Sequence, residues 1–288
     1  MYLFTNLKHL KMLNPIVSVF RNRFCTDFLT GLILILLSAI PAISYSADTT
    51  SIVVVGTVHN QTEKFTGKQL YDIIERIKPD LILVELDSSF FSESMSIKPD
   101  LINVSLENTV VNDYQKSRAV LVRPYDIEGR NKIYQVNNYF GQQRELSKSL
   151  NNARKDSLLH GEPMVLLDAM TRFDGITQSF ASGSPEIFNS ASCMKVMESK
   201  QYYANEGMVK IVSSVPFLNP FIKFANFKRD FWIQRNEVMV NKILKWNKSL
   251  HPKTILVLCG FEHKYFLYDG LLKRCNADIF KLKEYWEY

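Results

Sequence analysis

Two uncharged apolar runs, Ile52–Val55 and Ile255–Cys259, lie far apart in the chain and end alike. The first runs into Gly56-Thr57-Val58-His59, the second into Gly260-Phe261-Glu262-His263. A short run with no charge reads most simply as a strand buried on both faces, the kind found in sheets covered by helices. The glycine that follows lets the chain turn sharply or approach another backbone closely. A histidine stands three residues past each glycine, just beyond the strand end. Parallel strands of an open α/β sheet bring such ends to one edge, where ligands bind. Two histidines remote in sequence can therefore meet there.

The remaining pattern agrees with that frame. Thr66–Ile77 carries apolar residues at Leu70, Ile73, Ile74 and Ile77, a helical spacing, and Lys78-Pro79-Asp80 stops it. Leu81–Val84 is a second buried strand with Glu85 at its end, and Ala119–Val122 a third, leading into Arg123–Arg130. The strand–helix–strand unit is expected to be right-handed and parallel. From about 131 to 250 the chain is mostly helical, broken at Pro216 and Pro220, and its last helix, Phe227–Leu250, carries Arg235-Asn236-Glu237. A helix near Tyr265–Arg274 and a last strand around Asp278–Lys283 follow the second apolar run. The fold class expected is α/β: a mixed, largely parallel central sheet flanked by helices, with a helical insert or cap between the two G-x-x-H halves. Nothing after residue 47 is long or polar enough for an interdomain linker, so 48–288 is expected to be one domain.

The first 47 residues are of another kind. Lys8, Lys11, Arg21 and Arg23 precede the apolar stretch Phe28–Ile43, and small residues follow at Ser44, Ser46 and Ala47. This is the order of a secretory signal peptide, with Met1 or Met12 as the start. A retained membrane anchor at 28–43 is the alternative, although the stretch falls short of the roughly 20 residues a spanning helix needs. The expected destination is outside the cytoplasm, the periplasm or cell envelope, with membrane contact only through this segment. Residues 1–47 hold four basic residues and one acidic, so without them the formal charge falls from +6 to +3. The basic residues are dispersed among Asp and Glu, which gives no reason to expect a nucleic-acid partner. Cys193, Cys259 and Cys275 form no C-x-x-C, so neither a zinc knuckle nor a redox motif is expected.

Four strand ends thus carry polar groups: His59, Glu85, the pair Asp126 and Glu128, and His263. Imidazole and carboxylate together suit a divalent transition metal such as Mn, Fe, Co or Zn, here on His59, Glu85 and His263. Without metal, the same groups can activate water by general base catalysis. Each has a plainer reading as well: a satisfied loop histidine, a buried ion pair between Glu85 and Arg123, Arg130 or Arg235, a turn fixed by Asp126 and Glu128. Arg235 and Asn236 sit among Phe231, Trp232 and Met239, and Arg235 turned toward the cleft would hold a carboxylate or an oxyanion. No G-x-S-x-G elbow is present, which weakens a serine-nucleophile reading, and no glycine-rich phosphate loop exists, so NTPase and dehydrogenase readings fall away.

The ordered set Gly56-Thr57-x-His59, Val84-Glu85-Leu86, Arg235-Asn236-x-x-Met239 and Gly260-x-x-His263 resembles the TraB/PrgY/GumN family, whose Tiki-like members are metal-dependent proteases. It is also similar to the wider group of ChaN-like haem-binding lipoproteins and erythromycin esterases. The resemblance implies a core of two related halves and a site of His59, Glu85 and His263 with Arg235 and Asn236 nearby. Lys264-Tyr265-Phe266-Leu267 after the second motif departs from the small-residue continuation of closer TraB-like sequences. The function expected is an exported, metal-dependent hydrolase of peptidase or esterase type, acting on a peptide or a small ester or amide. The alternative is a non-enzymatic cell-envelope protein that binds a peptide or haem iron through the same histidines, and a third reading leaves the histidines purely structural.

Overall fold

The computed structural model describes residues 49–275 and 279–288. The expected leader, and Asp278 of the last expected strand, lie outside the described residues. Five strands form one sheet: β1 (Thr50–Thr57), β2 (Leu81–Val84), β3 (Leu121–Pro124), β4 (Thr254–Gly260) and β5 (Phe280–Lys283). Their order across the sheet is β3-β2-β4-β1-β5. Every pairing is parallel, so the sheet is wholly rather than largely parallel. The two strands that end in G-x-x-H lie side by side, Gly56 opposite Cys259 and Thr57 opposite Gly260. Burial explains the uncharged runs. Ile52–Val55 and Ile255–Cys259 alternate between two apolar cores, one on each face, and neither run reaches solvent.

Helices cover both faces. α1 (Gly67–Ile77) opens with a reciprocal cap between Thr66 and Gln69 and buries Leu70, Ile73, Ile74 and Ile77, the stripe expected from spacing. α2 (Leu106–Ser117) stands beside it, capped by Ser105. Sequence periodicity does not reveal α2, because its buried face includes Glu107 and Asn108 among the apolar residues. The insert follows β3: α3 (Arg130–Val136), α4 (Tyr139–Lys155), α5 (Gly161–Ala181), α6 (Pro185–Phe188), α7 (Ala191–Tyr202), α8 (Met208–Ser214) and α9 (Ile222–Leu250). A π-helical turn, Tyr203–Gly207, joins α7 to α8, and a 3₁₀ segment, Pro216–Phe221, joins α8 to α9. The insert has its own apolar core, drawn from α4, α5, α8 and α9. α10 (Phe261–Leu272) starts directly where β4 ends, four residues earlier than spacing suggests. Among the described residues no helix is long and apolar enough to cross a membrane. Cys193, Cys259 and Cys275 are all free thiols.

Beyond Val53, β1 outruns its neighbour β5 and would leave Gly56 without a partner on that side. Asn189, fully buried, supplies one. Its Oδ1 accepts from the Gly56 amide at 2.7 Å and its Nδ2 donates to the Gly56 carbonyl at 3.0 Å. Lys264, also fully buried, donates to the Asn189 carbonyl at 3.1 Å and to Glu284 at 2.8 Å. The glycine itself is required by crowding. A Cβ at Gly56 would sit 2.9 Å from the Cα of Phe261. Gly56→Ala is therefore expected to push β1 and α10 apart and to destabilise the protein by about 1–3 kcal/mol. Thermal unfolding reads this directly, and an unchanged melting temperature would count against the tight approach.

Candidate functional site

Because all five strands run the same way, the ends of β1, β2, β3 and β4 share one edge of the sheet. His59, Glu85, Asp126 and His263 are brought there from four separate segments. His59 and His263 line a single cavity of about 400 Å³ with Trp232 and Gly260. A second cavity, of about 280 Å³, is lined by His59, Glu85, Glu107 and Arg130. Both histidines of the G-x-x-H motifs therefore line one cavity.

Arg235 is the hub of the buried part. Its Nε and Nη2 donate to the two carboxylate oxygens of Asp126 at 2.8 and 2.9 Å, and Nη2 also donates to Glu85 Oε1 at 2.5 Å. Such forked, charge-assisted bonds fix the guanidinium in one plane. Asp126, 1 % exposed, also accepts from Arg130 at 2.8 Å. The other Glu85 oxygen, Oε2, accepts from the Gly260 amide at 2.8 Å. Burial opposes the Glu85 anion, but its cationic neighbours and the Gly260 amide outweigh that and bring the carboxyl down to about 2. Two carboxylates around it hold Arg235 charged against the cost of burial.

His263 is neutral there. Asn236 Nδ2 donates to the Trp232 carbonyl at 2.8 Å, which turns its Oδ1 toward His263 Nδ1 at 2.7 Å. That oxygen can only accept, so the proton sits on Nδ1 and the Nε2 lone pair faces Arg235 Nη1 at 3.3 Å. Trp232 stacks on the ring at 4.4 Å between centroids. Burial takes the imidazole down to about 4. A charged His263 would attract Glu85, but at neutral pH the standing cation beside that carboxylate is Arg235.

These shifts set an acid limit. An unfolded His263 would titrate near 6.5 and the folded one near about 4. Between those values only the unfolded chain takes the proton, so stability falls as pH falls through that window, by on the order of 3 kcal/mol. Glu85 adds a second loss below 4.5, because its folded carboxyl stays ionised to about 2. Urea midpoints are expected to drop from pH 7 to pH 4.5, and His263→Gln to flatten the part above 4.5. His59, whose pKa is raised, works in the opposite sense. The decisive quantity is therefore the difference between the two profiles, and no difference between wild type and His263→Gln would contradict a buried neutral ring.

His59 differs in every respect. Its side chain is 64 % exposed, and its Nδ1 faces Glu107 Oε1 at 3.4 Å. That carboxylate is buried and accepts from the Thr57 hydroxyl at 2.5 Å. Leu106, next to Glu107, donates its amide to the His59 carbonyl at 3.2 Å, so α2 holds the loop as well as the ring. The Glu107 carboxylate beside the ring raises the His59 pKa, and burial and the Arg130 charge offset part of the rise. Burial alone would raise Glu107, but His59 and Thr57 keep it below the usual carboxylate range. His59 Nε2 has no hydrogen-bond partner among the described residues and lies over Gly260, 3.4 Å from where a Cβ would stand. Arg130 lines the same cavity, and its buried Nε has no partner either.

Glu128 does not join this cluster. It bonds the amide and hydroxyl of Ser88 and pairs with Lys242, tying two loops together behind Asp126. Asn236 reaches the site only through His263, and Asp126 only through the two arginines. The donor set argues against a metal on His59, Glu85 and His263. Both Glu85 oxygens are engaged, and the His263 lone pair points at a guanidinium. Arg235 thus stands where a cation bridging Glu85 and His263 would sit. Among the described residues no group of three or more His, Cys, Asp or Glu is arranged to hold an ion. As arranged, the residues do not fit a metal.

Sequence patterns miss Glu107, Thr57, Trp232 and the role of Arg130. Thr57 sits inside the first motif, and Trp232 stands three residues before Arg235. Glu107 lies on a helix that periodicity does not show, and only the fold carries it to His59. No family model matches the chain, no curated protein matches it, and no solved structure matches it. The likeness to TraB/PrgY/GumN proteins rests on the ordered motifs alone.

Proposed function

We propose that this protein is a hydrolase of ester or amide bonds in which His59 is the general base. One observation carries the reading: a solvent-accessible imidazole faces a buried carboxylate through Nδ1 while its Nε2 is free above a cavity. A carboxylate–imidazole pair of this kind orients the ring and stabilises the imidazolium that forms. A separation of 3.4 Å is long for that bond, as is common before substrate tightens such a site. In the first step His59 Nε2 takes a proton from water, and the oxygen attacks the carbonyl carbon. The negative charge that develops on the carbonyl oxygen is met by the guanidinium of Arg130, which lines the same cavity as His59. The tetrahedral adduct then collapses, and the imidazolium returns its proton to the departing alcohol or amine. Glu85, Arg235, Asp126 and His263 form the rigid floor that holds Gly260 and Arg130 in place.

The test is hydrolysis of a panel of p-nitrophenyl esters and blocked peptides by the purified protein. Turnover that disappears in His59→Ala and Arg130→Met supports the reading. Equal turnover in the wild type and His59→Ala, or none on any substrate, argues for the non-catalytic binding alternative.

A further inference from the structure

α9 carries Lys228, Trp232 and Arg235 at a spacing of four and then three residues, which puts them on one stripe of the helix. All three line a cavity of about 480 Å³ inside the helical insert. Trp232 and Glu262 line both this cavity and the one shared by His59 and His263, so the two adjoin. The catalytic edge of the sheet therefore continues into the insert.

Lys228 is the unusual member. It is only partly exposed and makes no hydrogen bond or ion pair among the described residues. Every other charge lining the cavity has a partner or lies at longer range. Lys200 pairs with Glu262 at 2.6 Å, and Arg235 is held by Glu85 and Asp126. Asp174 attracts Lys228 without reaching it, and burial, the stronger influence, lowers the lysine pKa. Gln143, which also lines the cavity, has a buried amide oxygen without a partner. The wall from α7 to α8 is the π-helical turn Tyr203–Gly207, which sends Asn205 and Ala204 to the cavity. Such turns interrupt a helix at some stability cost and recur at functional sites.

We infer that the insert cavity holds the anionic end of the substrate on Lys228, while the bond to be cleaved lies at His59. Lys228 stands one helical turn, roughly 6 Å, beyond Trp232 and about 10 Å from Arg235 along the axis. Because Lys228 lies a helical turn past Trp232, which both cavities share, the ligand is an elongated molecule whose carboxylate is on the order of two residue lengths or more from its ester or amide. An acyl chain with a terminal acid fits, and so does a peptide with a carboxylate at that remove. This assignment of substrate class rests on the hydrolase reading for its chemistry, but not for its binding.

The test separates the two. Binding of sebacate and of its uncharged diamide is measured by calorimetry on wild type, His59→Ala, Lys228→Met and Lys228→Arg. Hydrolysis of the mono-p-nitrophenyl ester of sebacic acid is followed beside p-nitrophenyl decanoate. Sebacate is expected to bind wild type and His59→Ala alike, at least tenfold more tightly than the diamide. Lys228→Met should remove that preference and Lys228→Arg retain it. In kinetics, the acid-ended ester should show the lower KM, and Lys228→Met should raise it with little change in turnover of the neutral ester. Sebacate binding that depends on Lys228, with no ester cleaved, keeps the subsite and ends the hydrolase reading. Equal binding of diacid and diamide, or a preference that survives Lys228→Met in a folded protein, overturns the subsite.

Discussion

His59→Ala is expected to lower kcat for ester hydrolysis by roughly 10²–10⁴, the range a positioned general base supplies. Little stability should be lost with it, because the ring is mostly exposed and only Glu107 holds it. That exposure makes the experiment clean: a folded, inactive variant isolates the chemistry. Glu107→Gln gives the more diagnostic result. The carboxylate is the main reason the imidazole holds its proton above the usual 6.5. A base must be unprotonated to work, so wild-type kcat/KM should rise with pH along a limb set by His59, with its midpoint above 6.5. In the Glu107→Gln variant that limb should move to lower pH while the plateau falls. A residue that merely braced the loop would lower the rate at every pH and leave the midpoint in place. An unmoved midpoint would therefore remove Glu107 from the mechanism.

Removing Arg235 should have the largest effect on stability. Asp126 is buried and Glu85 nearly so against its guanidinium, and without it Asp126 keeps only Arg130, and Glu85 only the Gly260 amide, as a close partner. Taking one partner from a buried ion pair costs about 3–5 kcal/mol, since the remaining charge stays desolvated. Arg235→Met is expected near the upper end of that range, with a melting temperature lower by about ten degrees or more. Arg235→Lys should recover little, because an ammonium group cannot match the fork that spans two carboxylates. The triple variant Arg235→Met, Glu85→Gln, Asp126→Asn is expected to regain much of the loss by neutralising the stranded anions. Denaturant midpoints measured at one pH decide the matter. A small loss in Arg235→Met, or no recovery in the triple variant, would mean that the charges reach water.

How much of this is legible in the chain differs from element to element. Ile52–Val55, Leu81–Val84 and Ile255–Cys259 announce buried parallel strands because both faces of each are packed, leaving no position where a charge is tolerated. The stripe of α1 is equally plain. α2 is not, since a helix that buries Glu107 and Asn108 has no clean apolar period. The start of α10 is hidden for a related reason: Gly260 ends a strand and opens a helix at once, with no polar loop between. Arg235 and Asn236 can be suspected from their apolar neighbours, whereas Asp126 and Glu128 look alike and have opposite fates. One faces two arginines inside the fold, and the other faces Ser88 and Lys242 outside it.

Local sequence determined the buried strands and the helices with a clean apolar stripe, and therefore that both G-x-x-H ends lie at one sheet edge. That much follows from burial and from parallel direction alone. Only the tertiary structure decided which histidine is left free and which is fixed. Insertion of β4 between β1 and β2 puts His263 under α9, where Arg235, Asn236 and Trp232 enclose it and burial keeps it neutral. His59 is left at the rim, where a carboxylate from α2 raises its basicity. Two identical spacings thus acquire opposite protonation behaviour, because charge and water access are set by neighbours that no local pattern names.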